Sequence, residues 1–264
     1  MRLNFVRSDF DLHAMKLTWR PALVFALFVA GVDLLACADD AAGSRAMALP
    51  ASASAVTAVT WSPALELPSL AALTARFARP FPEAVDLVKD GVHLAASTCA
   101  QLLAARGQGA SPAGDRELAI ERDEGAKCIA LDQLSRARAA QTSHLAGFAL
   151  RAATPRQLPP MLATPFSKRD DERARVAEAQ GQTLADYRPG VVVHAQDGAL
   201  LLRGDTWESR IEILARGDFD GGGAEQILVA AHDKATEGRF ESTRVLLLTR
   251  RVEGGALSTL KRLQ

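Results

Sequence analysis

Aromatic side chains are scarce in this sequence, with one Tyr, three Trp and ten Phe among 264 residues. Its core must therefore be built from Ala, Leu, Val and Ile. An excess of one charge sign is also missing. Lys+Arg and Asp+Glu each number 31, so the formal net charge is zero. Residues 1–37 carry four basic and three acidic side chains, and without them the balance is −1. Nucleic-acid binders carry a basic excess, because cations must displace the counterions of phosphates. That class is excluded. No apolar run reaches the roughly 20 residues a membrane-spanning helix needs. The sequence has no nucleophile elbow, Walker loop, dinucleotide fingerprint or HExxH helix. His93, His144, His194 and His232 have no second ligand at helical spacing and read as surface or core residues. Trp207 and Tyr187 read as packing residues near strands. These absences point to a non-enzymatic protein. The rival is a hydrolase whose groups converge only in space, which spacing along a chain does not reveal.

What is present begins near the N-terminus. Ala22 to Val32 reads ALVFALFVAGV, preceded by Lys16 and Arg20. A basic head followed by a short apolar run is the pattern of a secretory signal. A start at Met15 gives a signal of ordinary length, whereas a start at Met1 adds Asp9 and Asp11 to the head. Both starts stay open. The run ends in Leu34-Leu35-Ala36-Cys37, which resembles the bacterial lipobox. The resemblance implies a diacylglycerol thioether on Cys37, a membrane anchor and a place in the cell envelope facing the periplasm or the cell surface. The competing reading is leader-peptidase cleavage at Ala36-Cys37-Ala38, which releases a soluble periplasmic protein. Residues 38–62 are rich in Ala, Ser and Thr, too poor in large apolar groups to fold alone, and suit a flexible tether. That composition favours the anchored form. An envelope protein is the expected partner.

Only Cys99 and Cys128 remain beyond Cys37. In an oxidising compartment a disulfide between them is the expectation. Ser97 and Thr98 can cap a helix in which Cys99, Leu102, Leu103 and Arg106 share a face. Residues 115–138 place Cys128, Leu131 and Leu134 on another stripe. Glycines at 107, 109 and 114 form the connection. The pair reads as a staple between antiparallel helices.

The spacing makes residues 63–189 mainly helical. Pro155, Pro159, Pro160 and Pro165 mark an irregular crossing. Residues 168–180 form a charged helix that stops at Gly181. From 190 to 264 the pattern changes to strands. Asp197-Gly198 between two apolar runs signals a hairpin. Residues 209–216 alternate, with Ile211, Ile213 and Ala215 expected on one face. Further strands are expected at 226–232, 244–250 and 258–263. The class is α+β: a helical part, then an antiparallel sheet of about five or six strands.

Between two of these strands runs Gly217-Asp218-Phe219-Asp220-Gly221-Gly222-Gly223-Ala224-Glu225-Gln226, followed by an apolar strand. This resembles a single FG-GAP or VCBS-type repeat. More loosely, residues 206–250 look like the C-terminal part of secreted bacterial proteins of unknown function. The resemblance implies a calcium loop. Asp218 and Asp220 match its first two ligands, and Ala224 offers a carbonyl. Gly222 stands where a third acid is usual, and Gln226 where the last one is. Calcium takes 6–8 oxygens and gains affinity from carboxylates, so this set implies weak calcium binding at most, with no other cofactor. The alternative is a structural turn in which Asp side chains cap backbone N–H groups. One motif leaves no room for a propeller, which needs about four blades or more. Arg203-Gly204-Asp205 and Arg216-Gly217-Asp218 spell an adhesion tripeptide, a short motif with a high false-positive rate.

Overall fold

The computed structural model describes residues 56–264. The apolar run, Cys37 and residues 38–55 of the expected tether lie outside the described residues. Ten strands and five α-helices follow in chain order. They are β1 (Thr60–Trp61), α1 (Leu73–Ala78), β2 (Val85–Lys89), β3 (Val92–Ala96), α2 (Cys99–Gly107), β4 (Ser111–Pro112) and α3 (Asp115–Leu134). Then come α4 (Lys168–Ala179), α5 (Leu184–Tyr187), β5 (Val192–Gln196), β6 (Ala199–Arg203) and β7 (Trp207–Gly217). The last are β8 (Gln226–Ala235), β9 (Glu241–Thr249) and β10 (Ser258–Arg262). The fold is α+β. Its main sheet is antiparallel, in the order β10-β9-β8-β7-β6-β5, with β1 added beside β7.

The main sheet has two buried faces, which is why β8 and β9 read as nearly continuous apolar runs rather than alternating ones. One face packs Leu214, Leu228, Ala230, Val245 and Leu247 against α3, which in turn packs on α2. The other packs Ile211, Ile227, Val229, Leu246 and Leu248 against the proline-rich segment, through Leu145, Phe148, Leu158 and Leu162. A buried ion pair fastens that second layer. Arg244 Nε donates to Asp233 at 2.7 Å, while its other nitrogens donate to the carbonyls of Met161 and Leu162. Thr164 donates to the second oxygen of Asp233.

The staple is present: Cys99 and Cys128 form a disulfide, with Cα atoms 5.1 Å apart. It ties the first residue of α2 to the middle of α3. Thr98 caps α2 by accepting from the Gln101 N–H. In the chain-entropy account a closed loop of this length stabilises by about 3.5 kcal/mol. Ser167 caps α4, which buries only Ala174 and Ala177, and Gly181 follows it with φ +76°.

Three local features differ from the sequence expectation. Residues 85–96, expected to be helical, form a hairpin that joins β4 in a three-stranded sheet. Its turn is Asp90-Gly91, both with positive φ (51° and 77°), the same chemistry as Asp197-Gly198 (52° and 76°). Val85 and Leu87 supply the alternation, but two inward residues are too few to outweigh the surrounding helical pattern. The chain also joins the fold before residue 62. Thr57 exchanges backbone hydrogen bonds with Ala140, and Trp61 donates its indole N–H to the Leu67 carbonyl. Finally, Ile211 and Ile213 share a face as expected, but Ala215 does not. A β-bulge between Ile213 and Ala215 shifts the register. Ile211 faces the second cluster, whereas Leu214 and Ala215 both belong to the first. An extra residue in one strand breaks the period of two and bends the strand. At this bend the neighbour of β7 changes from β6 to β1.

Candidate functional site

The 218–226 loop is a turn whose polar groups face one another. Asp218 is buried. Its Oδ1 accepts from the Gly221 N–H at 2.8 Å, and its Oδ2 from the Gly223 N–H at 3.0 Å. Asp220 Oδ1 accepts from the Gly222 N–H at 2.8 Å. That N–H holds the Asp220 carboxyl below its usual range. Gln226 Oε1 accepts from the Phe219 N–H at 3.0 Å. Gly221 and Gly223 take φ of +78° and +80°, a region costly for other residues. The segment after α3 clasps the loop from outside. Arg138 and Asp218 exchange backbone bonds, and Gln141 and Thr142 both donate to the Gly223 carbonyl. Glu225 turns inward and accepts from the Ser143 hydroxyl.

The expected ligands Asp218, Asp220, Ala224 and Gln226 thus lie in one turn, with two carboxylates where calcium gains affinity from more. Both Asp218 oxygens and the Gln226 oxygen accept backbone N–H groups and so shape the turn. Among the described residues, no group of three or more His, Cys, Asp and Glu side chains is placed to hold a metal ion. The second Arg-Gly-Asp triplet is part of the same turn. Arg216 donates to the Phe148 carbonyl at 2.5 Å, and Gly217 and Asp218 are buried. In the first triplet, Arg203 pairs with Glu208. Trp207 is buried in the second cluster, and Tyr187 packs against it.

A different place carries groups that the fold does not consume. Toward the β7 N-terminus, the sheet face under α3 changes from apolar to polar. Alternation and register put Arg210 opposite His232, and His232 opposite Thr243, two residues along from Glu212, Ala230 and Val245. There α3 and the sheet enclose a cleft of about 400 Å³, lined by Arg122 and Asp123 from α3 and by Arg210, His232, Lys234 and Thr243 from the sheet. A smaller cavity of about 190 Å³ adjoins it, sharing Asp123 and His232 and adding Lys127 and Glu212.

A chain of three side chains crosses three strands, from Glu212 in the smaller cavity through His232 to Thr243 in the cleft. Glu212 Oε1 is 3.0 Å from His232 Nε2, and His232 Nδ1 is 3.1 Å from Thr243 Oγ1. The His232 contact is the largest cause holding the half-buried Glu212 carboxyl below its usual range. With the Nε2–H tautomer, Glu212 accepts from His232 and Nδ1 accepts from the Thr243 hydroxyl. Such a chain orients an imidazole and can draw a proton from the hydroxyl. Rim charges are paired across strands: Lys234 and Arg203 hold the Glu208 carboxyl low, Lys234 contributing most.

Sequence reasoning set His232 aside and did not single out Glu212, Thr243, Asp123 or Arg210. The available signal was a polar residue at each inward position of three consecutive strands, which becomes visible only once the pairing of β7, β8 and β9 is known. No family model, curated protein or solved structure matches the chain. Its functional reading rests on the chemistry of its own residues.

Proposed function

We propose that the chain is an exported cell-envelope protein, lipid-anchored through Cys37, whose α+β domain is a non-enzymatic binding module that engages its partner through the cleft over His232. The observation that carries the binding reading is the contrast in commitment. Asp218 and Asp220 accept from backbone N–H groups of their own turn, whereas the cleft keeps Asp123 without a partner among the described residues and Arg210 no closer than 4.0 Å to a carboxylate. Size supports it too, since a cleft of about 400 Å³ lies within the usual range for small-molecule sites. Export and anchoring rest on the basic head, the apolar run and Leu34-Leu35-Ala36-Cys37, and the Cys99–Cys128 bond suits an oxidising compartment. Metabolic labelling with an alkyne fatty acid tests the anchor. The wild type should be labelled and Cys37→Ser should not. A mature N-terminus at Asp39 would instead show leader-peptidase release into the periplasm.

A second reading is favoured by the Glu212–His232–Thr243 chain. In a hydrolase, Thr243 Oγ would attack an ester carbonyl while His232 takes its proton and Glu212 orients the ring. The ester C–O bond would break as His232 returns the proton to the departing alcohol, and water would then release the acyl group from Thr243. Hydrolysis of p-nitrophenyl acetate by the wild type, lost in Thr243→Val and in His232→Gln, would support that reading over pure binding.

A further inference from the structure

The charges around the cleft can be paired off one at a time. Arg122 of α3 is 3.0 Å from Glu241. Lys234 is 2.9 Å from Glu208, which also holds Arg203. Glu212 holds His232 at 3.0 Å. Asp233 belongs to the opposite face of the sheet, where Arg244 holds it. Two groups are left over. The Asp123 carboxylate, exposed on the α3 wall, has no hydrogen-bond or ion-pair partner among the described residues. Arg210, on the sheet wall, comes no closer than 4.0 Å to a carboxylate, and that carboxylate is Glu212, already engaged by His232. Asp123 and Arg210 line the same cavity, from opposite walls, and do not reach each other.

We infer that the cleft takes a small zwitterion, an unblocked amino acid or short peptide, with its ammonium at Asp123 and its carboxylate at Arg210. The inference rests on the binding reading above and names the ligand class for that site. A simple anion would be repelled by Asp123, and a simple cation by Arg210 and Arg122. A neutral ligand would leave both uncommitted charges without a partner. A zwitterion satisfies both. The guanidinium fork of Arg210 suits a carboxylate better than a point charge would. His232 and Thr243, which line the same cleft, offer polar contacts to the body of the ligand.

The test is calorimetric titration of the full chain in detergent with the dipeptide Ala-Ala, its N-acetyl form, its C-terminal amide and the doubly blocked form. The free dipeptide should bind, and blocking either end should weaken it by at least about tenfold, since each block removes a charge-assisted contact. In Asp123→Asn the free and N-acetyl forms should bind alike. In Arg210→Gln the acid and the amide should bind alike. Melting curves of both variants report whether they are folded. If the doubly blocked dipeptide binds as tightly as the free one, the zwitterion inference falls and the cleft reading survives. If no form binds at concentrations on the order of millimolar, the inference falls. The binding reading falls with it if inorganic phosphate and glucose also leave the melting temperature unchanged.

Discussion

Carboxylates gather at two places on this domain, the 218–226 loop and the cleft over His232. In the loop, Asp218 and Asp220 accept from N–H groups two to five residues away along the chain and so shape the local backbone. In the cleft, Glu212 and Glu208 answer side chains on neighbouring strands, and Asp123 answers none. Dense acidic and glycine residues in a row make a conspicuous motif because a tight turn needs many special residues close together. A ligand site needs few, and the fold can draw them from distant segments.

That contrast can be broken or sharpened by substitution. The largest effect is expected at Asp218. Asp218→Ala removes the acceptor of two N–H groups beneath the clasp of Arg138 and should cost about 2–3 kcal/mol in urea unfolding. Gly221→Val comes next. Its Cβ would meet nothing within 4 Å, so crowding is not the issue. The cost is positive φ on a branched residue, about 1–2 kcal/mol. Asp220→Asn should cost less, below about 1 kcal/mol, because the side chain is exposed and an amide oxygen can still accept from Gly222. Scanning calorimetry of both variants checks the order. Micromolar calcium should leave the wild-type melting temperature unchanged, and a rise of many degrees, lost in Asp220→Asn, would turn the loop into a metal site.

In the cleft, the same approach becomes a pH experiment. His232 holds the Glu212 carboxyl below its ordinary value near 4.5, with Arg210 and Lys127 acting in the same direction. A carboxyl depressed in the folded state contributes stability that is present above the unfolded value and lost as pH falls through the folded one. The stability difference between wild type and Glu212→Gln should therefore shrink as pH drops below about 4.5, as followed by urea midpoints. A difference that grows on acidification would contradict the pairing. The smallest effect belongs to Asp123→Asn, which should leave stability within about 0.5 kcal/mol, because nothing in the domain leans on that carboxylate.

Much of the architecture is legible in the sequence because it rests on local signals. The Asp197-Gly198 turn and the glycine after α4 act within a few residues, and the two cysteines are legible because they are the only pair beyond Cys37. The Asp90-Gly91 hairpin carries the same turn signal, but its strands are five residues each and lie between helices, so periodicity over a longer window hides them. The bulge in β7 is illegible for another reason, since it answers the packing of two different layers rather than any preference of Leu214. The cleft is the extreme case. Glu212, His232 and Thr243 occupy ordinary strand positions, and only the register of β7, β8 and β9 makes them neighbours.

The short strand β1 gains a mechanical meaning if the chain is held from its N-terminal side. A pull transmitted through the residues before 56 reaches the domain at Thr57 and then at the two residues of β1, which pair with Ala215 and Arg216 just past the bulge. Two residues of pairing, the backbone bonds of Thr57 and Ser62, the indole contact and the packing of Val59 and Trp61 hold this strip, less than holds the eleven-residue strand β7 behind it. Tension should release this strip first and lengthen the leash by a few residues. The central strands and the disulfide-bound helices would keep the cleft's walls in place while the surface to which the chain is fixed moves away.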